Sequence, residues 1–267
     1  MFATAPPAVR FLLVEVPGPW GRVGPTDSRL DRYASGRLAD VAERAGVRVL
    51  LVRRPGRHSQ PPEDSPRAWA LVDTRPGREA TRWGRWRHEH ELLEVDLAPS
   101  GARDAAPDAP GPSRLALVCT QGRHDLCCAV RGRPVALAVA ARATGWDVWE
   151  CSHVGGDRFA ANLLVLPRGE MFGGLDPDTA VATLRRYDAG RLDLEHSRGR
   201  AGRPLVEQAA LHHVAVATGE DGLGALHVVR ARGEDPRWTV DVAVAGRRYR
   251  VRLEARWSEP AWLTCSV

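Results

Sequence analysis

Four of the chain's five cysteines and two histidines fall within the 35 residues from Cys119 to His153; three of those cysteines and both histidines lie in the runs Cys119-Thr-Gln-Gly-Arg-His-Asp-Leu-Cys127-Cys128 and His153-Val-Gly-Gly-Asp157. Thiolate is a soft ligand and imidazole a borderline one, a set that favours iron–sulfur or zinc chemistry over magnesium or calcium. A loop from Cys119 to Cys127 or Cys128 can double back so that two sulfurs meet one centre. Cys127 and Cys128 are adjacent, so only one of them is expected to point inward. Gly155 and Gly156 allow a tight turn or a close approach to a cofactor. They could bring His153 and Asp157 to the same side, as positions four apart on a helical turn would be. The candidate metal ligands are therefore Cys119, Cys127, Cys128, His153 and Asp157, with Gly155 and Gly156 as candidate cofactor contacts. Nitrogen on one iron of a [2Fe–2S] cluster would give a Rieske-like site. There imidazole raises the potential and lets reduction couple to pH.

Plainer roles stand beside these. Cys151 and Cys265 read as small buried hydrophobes. His153 could bond a backbone carbonyl, and Asp157 could cap a turn or pair with Arg158. His124-Asp125 reads as loop structure or as support for a ligand. His88 and His90, two apart on a possible strand, lack a third ligand nearby. His212-His213 lies in a helix beside apolar residues and reads as surface or interface.

The elements that must position the site follow from periodicity. Val9 to Val16 and Val47 to Val52 read as buried strands, with Arg67 to Val72 and Leu92 to Leu97 as further strands. Between the first two, Ser28 could cap a helix carrying Leu38, Val41, Ala42 and Ala45, stopped by Gly46. A Pro-rich stretch from 98 to 113 reads as a linker. Beyond it the order returns. Leu115 to Val118 is a strand ending on Cys119, and Pro134 starts a helix running to Ala143. Asp147 to Cys151 is a strand, and Leu163 to Leu166 and Glu170 to Phe172 are two more. Asp176-Pro177 opens a helix. All the candidate ligands leave the carboxyl ends of two parallel strands, where open α/β sheets bind ligands. The last segment predicts a helix from Pro204 to Val216 packed on a small antiparallel sheet, with a hairpin turning at Ala245-Gly246. The fold class expected is α/β, with thioredoxin-like layers and a C-terminal α+β segment. The divisions are 1–97, a linker at 98–113, 114–190 and 200–267.

Composition narrows the function. At 267 residues, 43% hydrophobic and 27% charged, the chain is an ordinary globular protein of one large or two ordinary domains. No apolar run is long enough for a bilayer, and no basic region precedes an apolar stretch at the N-terminus, so a cytoplasmic protein is expected. In a reducing compartment, metal or redox roles outrank disulfides for these cysteines. The chain has no lysine, which excludes a Schiff-base or Walker A lysine. Arg82-Trp83-Gly84-Arg85-Trp86-Arg87 interleaves cations with aromatics, as single-strand binders do. With a net charge of only +5, solvated arginines on a strand or loop are the simpler reading, and nucleic acid is not an expected partner.

Two runs carry a resemblance: Cys-Thr-Gln-Gly-Arg-His-Asp-Leu-Cys-Cys-Ala at Cys119, and Ser152-His-Val-Gly-Gly-Asp-Arg-Phe-Ala-Ala-Asn162. Together they resemble the sucrase/ferredoxin-like family closely from Val118 to Gly174. Phe11-Leu-Leu-Val-Glu-Val-Pro-Gly-Pro-Trp20 and Leu263-Thr-Cys-Ser look like its bacterial, actinobacterial-type members. The resemblance implies a thioredoxin-like fold. By similarity to fungal members it also implies a [2Fe–2S] cluster held by two cysteines and two histidines. Cys119 and Cys128 match the cysteine positions, and His153 matches the first histidine. Asp157 stands at the second, so the fourth ligand would be Asp157 or Cys127. No spaced carboxylate pair supports glycoside hydrolysis.

The leading expectation is an electron carrier that serves a redox partner protein. Its alternatives are a cluster-free thiol redox or sensor module, a zinc protein, and a non-catalytic scaffold on the same fold.

Overall fold

A computed structural model describes residues 1–56, 62, 65–98 and 111–256. It is a mixed α/β structure in which a curled sheet of nine strands carries helices on its outer face. The first half runs β1 (Arg10–Glu15), α1 (Arg32–Arg44), β2 (Arg48–Arg53), β3 (Arg67–Asp73) and β4 (Ala80–Trp86). The second half runs β5 (Leu115–Cys119), α2 (Leu126–Arg142), β6 (Asp147–Cys151), β7 (Leu163–Leu166), β8 (Glu170–Phe172), α3 (Pro177–Asp188) and β9 (Ser197–Arg200). In space the strands lie β4-β3-β1-β2-β6-β5-β7-β8-β9. Each half repeats one pattern. A strand pairs parallel with the strand after its helix, and on its other side pairs antiparallel with the third strand, which pairs with the fourth.

The apolar runs are continuous because these strands are covered on both faces. Leu12, Val14 and Leu51 pack outward under Leu38 and Ala42 of α1. Ala116, Val118, Val148 and Leu163 pack outward under Val135 and Val139 of α2 and Leu184 of α3. The alternate residues turn inward. There Phe11, Leu13, Leu50 and Val72 of the first half share one core with Leu115, Leu117, Trp149 and Leu164 of the second.

The halves join where β2 meets β6 antiparallel, Val52 opposite Cys151 and Arg53 opposite Glu150. Ser152 extends this seam, its N–H donating to the Leu51 carbonyl at 2.8 Å and its hydroxyl accepting from the Leu51 N–H at 3.0 Å. Arg53 adds a largely buried ion pair to Glu150 at 2.6 Å.

The C-terminal segment has the expected helix-on-sheet form. Helix α4 (Leu205–Thr218) packs on the sheet of β10 (His227–Glu234), β11 (Arg237–Val244) and β12 (Arg247–Glu254), setting Ala210 and Val214 against Val240 and Val242 of β11 and Val251 of β12. No described helix is long and apolar enough to cross a membrane.

Four local expectations are corrected. Residues 92 to 97 form no strand: His88 and Glu91 make a reciprocal cap on a 3-10 turn over Glu89–Leu93, and Leu92 reaches the α1 core from that turn and Leu97 from the irregular backbone after it. His90 lies within that turn, so it and His88 do not lie on a strand. The fourth strand is instead β4, whose Trp83 and Trp86 are buried while Arg82 stacks over Trp69. Asp31, and not Ser28, caps α1, accepting from the N–H groups of Tyr33 and Ala34. Helix α2 starts eight residues before Pro134, where Asp125 caps it through the Cys127 N–H. Proline is tolerated inside because it and Val130, whose carbonyl loses its helical donor, both face water. Most of the linker stretch, Cys265 and the Leu263-Thr-Cys-Ser run lie outside the described residues.

Candidate metal centre

Cys119 is the last residue of β5 and only 1% exposed. Its N–H donates to the Asn162 carbonyl at 3.0 Å. Cys128 comes from the first turn of α2 and is fully buried. Gly132, one turn further on, lets that helix lie on the strand end. A Cβ there would stand 2.1 Å from the Cys119 carbonyl oxygen, so only glycine permits the approach. Cys127 falls in the same helical turn but outside the group of converging ligand atoms.

His153 and Asp157 arrive on the loop after β6. Gly155 and Gly156 both have left-handed backbone, φ +93° and +78°, and fold this loop back so that Asp157 meets His153. Their backbone faces a buried arginine: Arg198 of β9 donates to the Gly155 carbonyl and to Asn162 Oδ1, both at 2.7 Å, and to the Thr4 carbonyl at 2.7 Å. Gln121 pins the start of the loop, accepting from the His153 N–H at 2.6 Å and donating to the Gly21 carbonyl at 2.7 Å. Arg48 donates to the His153 carbonyl at 2.8 Å.

The result is two overlapping triads. One ligand atom each from Cys119, Cys128 and His153 lies within 4.8 Å of the others, and the same holds for His124, His153 and Asp157. His153 Nδ1 is 2.9 Å from Asp157 Oδ1, an ion-pair contact without hydrogen-bond geometry, so this buried nitrogen has no hydrogen-bond partner. Cys128 donates to Asp157 Oδ1 at 3.8 Å. The ring of His124 stacks on that of His153, centroids 3.9 Å apart.

Electrostatics sort the group. A hydrogen bond from Cys128 pulls the Cys119 thiol well below its ordinary value against the penalty of burial, and His153 adds to the pull. Cys128 is pushed up, first as the donor to Cys119 and then by burial. Burial raises Cys151, which pairs with Cys119 in the sheet but stands outside both triads. For His153 burial, the largest influence, opposes the charge. Contacts with Asp157 and Cys119 outweigh it and raise the imidazole to about 9. Asp157 is correspondingly lowered, its burial overcome by His153 and His124.

These donors fit a metal or a small cluster. Thiol and imidazole are matched in softness, and the His153 Nδ1, which has an ion-pair contact but no hydrogen bond, is the kind of buried polar atom that calls for an explanation.

A family model described as sucrase/ferredoxin-like matches residues 35–199, more than half of the chain. The chain belongs to the sucrase/ferredoxin-like family. No curated protein and no solved structure matches it. Both triads of this sucrase/ferredoxin-like chain lie inside the matched span, as do Arg48, Gln121 and Arg198. Sequence reading missed these three supports. A lone arginine in an Arg-rich chain carries no local signal, and Arg198 sits in a four-residue strand without apolar alternation.

Proposed function

We propose that this is an electron-transfer protein with thioredoxin-like layers, of the bacterial type, in which Cys119, Cys128 and His153 hold a [2Fe–2S] cluster. The observation that carries the reading is the convergence of two thiols and an imidazole at the adjoining carboxyl ends of β5 and β6. The strand order β6-β5-β7-β8, repeated in the first half, supports the layering that the family resemblance implies. The cluster, when bound, supplies one-electron chemistry.

The protein's own residues do the rest. Cys119 offers a thiolate already favoured before any metal arrives, and Cys128 and His153 hold that charge in place. The apolar inner core, which includes Cys119 and Cys128, keeps water from the sulfur side. His153 is the opening to solvent, with its side chain 20% exposed, and Asp157 can hold a proton on it. A reductase and an acceptor protein would meet the molecule at this rim, in the cytoplasm. The family resemblance offers Asp157 or Cys127 for the fourth place, and of these Asp157 is the one grouped with His153.

Anaerobic reconstitution with iron and sulfide should give a brown protein whose visible absorption bleaches with dithionite. Cys119→Ser and Cys128→Ser should each abolish the colour. Flat spectra from the wild type would refute the proposal. Zinc on the same residues is the second reading, favoured by the mutual closeness of the triad atoms. It predicts stoichiometric zinc and no sulfide. A cluster-free dithiol pair would instead show oxidant-dependent loss of the Cys119 and Cys128 thiols.

A further inference from the structure

We infer that His124, and not Asp157, is the fourth ligand, so that the centre has a sulfur end of Cys119 and Cys128 and a nitrogen end of His153 and His124. The inference rests on the metal-centre reading above and goes beyond it by assigning the residue that replaces the family's second histidine.

Three observations carry it. The two triads share His153: one adds both sulfurs to it, and the other adds His124 and Asp157. This sorts donors by element, as a cluster with thiolates on one iron and imidazoles on the other requires. Next, the His124 ring is already oriented as a ligand. Its Nδ1 lies 3.2 Å from the Arg22 carbonyl, an acceptor suited to an Nδ1–H donor, which leaves Nε2 as the ring's ligating atom. That Nε2 faces the site, 3.8 Å from Asp157 Oδ2. The carbonyl is itself placed, because Gln121 bonds the neighbouring Gly21 carbonyl while accepting from His153, so one side chain registers both imidazole-bearing loops.

The third observation is what Asp157 does instead. One oxygen contacts His153 at 2.9 Å and accepts from Cys128 at 3.8 Å, and the other lies toward His124. It neighbours both imidazoles and Cys128 and is 1% exposed. That is the place of a carboxylate that orients imidazoles and balances their charge. A hard carboxylate is also poorly matched to iron with sulfide ligands.

His124 is one-third exposed on a turn, so its replacement should leave the fold intact. The wild type, His124→Ala, His124→Cys and Asp157→Asn are each reconstituted anaerobically with iron and sulfide. Cluster content, resistance to chelator and electron paramagnetic resonance with nitrogen-resolved spin-echo modulation are then read. His124→Ala should lose the cluster to chelator at least about tenfold faster and show one coupled histidine nitrogen where the wild type shows two. His124→Cys should keep a cluster at a lower potential. Asp157→Asn should keep both nitrogen couplings, with a shifted pH dependence of the potential. A wild-type cluster with His124→Ala unchanged in nitrogen couplings and chelator resistance overturns the ligand assignment and leaves the metal centre standing. A wild type that takes up no iron and sulfide overturns both.

Discussion

Asp157 and His153 make the proposed centre sensitive to pH in the metal-free protein. The His153 imidazolium is favoured in the folded protein, its pKa about 9 against an ordinary 6.5. A raised value means that the pair's stabilisation is complete below pH 6.5 and disappears as pH climbs through about 9. Asp157 runs the other way: its depressed pKa gives stability at neutral pH that is lost as acid protonates it. Thermal unfolding of the metal-free protein should therefore show the gap between wild type and His153→Gln widest at or below pH 6.5 and closed above about pH 9. A gap independent of pH across that window would mean the imidazole is not charged by its neighbours. The sequence made the cysteines and His153 legible because soft ligands in a short run are rare. It did not reveal the place of His124, whose role depends on a carbonyl 102 residues away, at Arg22.

At the level of elements, the site depends on how closely α2 can lie on β5. Gly132→Ala would drive a methyl into the Cys119 carbonyl. The helix must lift, at a cost of about 1–3 kcal/mol, and Cys128 must leave Cys119. Gly36 in α1 is the control, since a Cβ there meets nothing within 4 Å. Gly36→Ala should stabilise by about 0.5–1 kcal/mol, and urea denaturation separates the two outcomes. Strands β1, β2, β3 and β5 to β8 were legible because buried strands are unbroken apolar runs. Helix α2 was legible only from Pro134 onward, since proline reads as a helix start and nothing local announces that Asp125 caps earlier. The arginines of β4 left its run open between strand and loop. Arg82 of β4 stacks over Trp69 of β3, and Arg67 of β3 over Trp86 of β4, so a run resembling a nucleic-acid platform is taken up by internal packing.

For the whole molecule, one buried arginine links distant parts of the chain. Arg198 is 1% exposed and reaches residues 4, 155 and 162. Arg198→Met would leave the Gly155, Thr4 and Asn162 oxygens without a donor in an interior that water does not enter. We expect a loss of about 3 kcal/mol or more by chemical denaturation, together with faster release of reconstituted iron. A loss below about 1 kcal/mol would show that the loop holds its shape unaided.

The segment ahead of β1 is part of this arrangement. The N–H groups of Thr4 and Ala5 both donate to the Arg198 carbonyl, and Pro6 lies against Gly155. The family match begins only at residue 35, so a fragment excised at its borders would discard this buckle together with a central strand. Any shortened version of the protein should keep the first sixteen residues, because Thr4, Ala5 and Pro6 brace Arg198 and Gly155, more than a hundred positions downstream, and β1 follows directly after them.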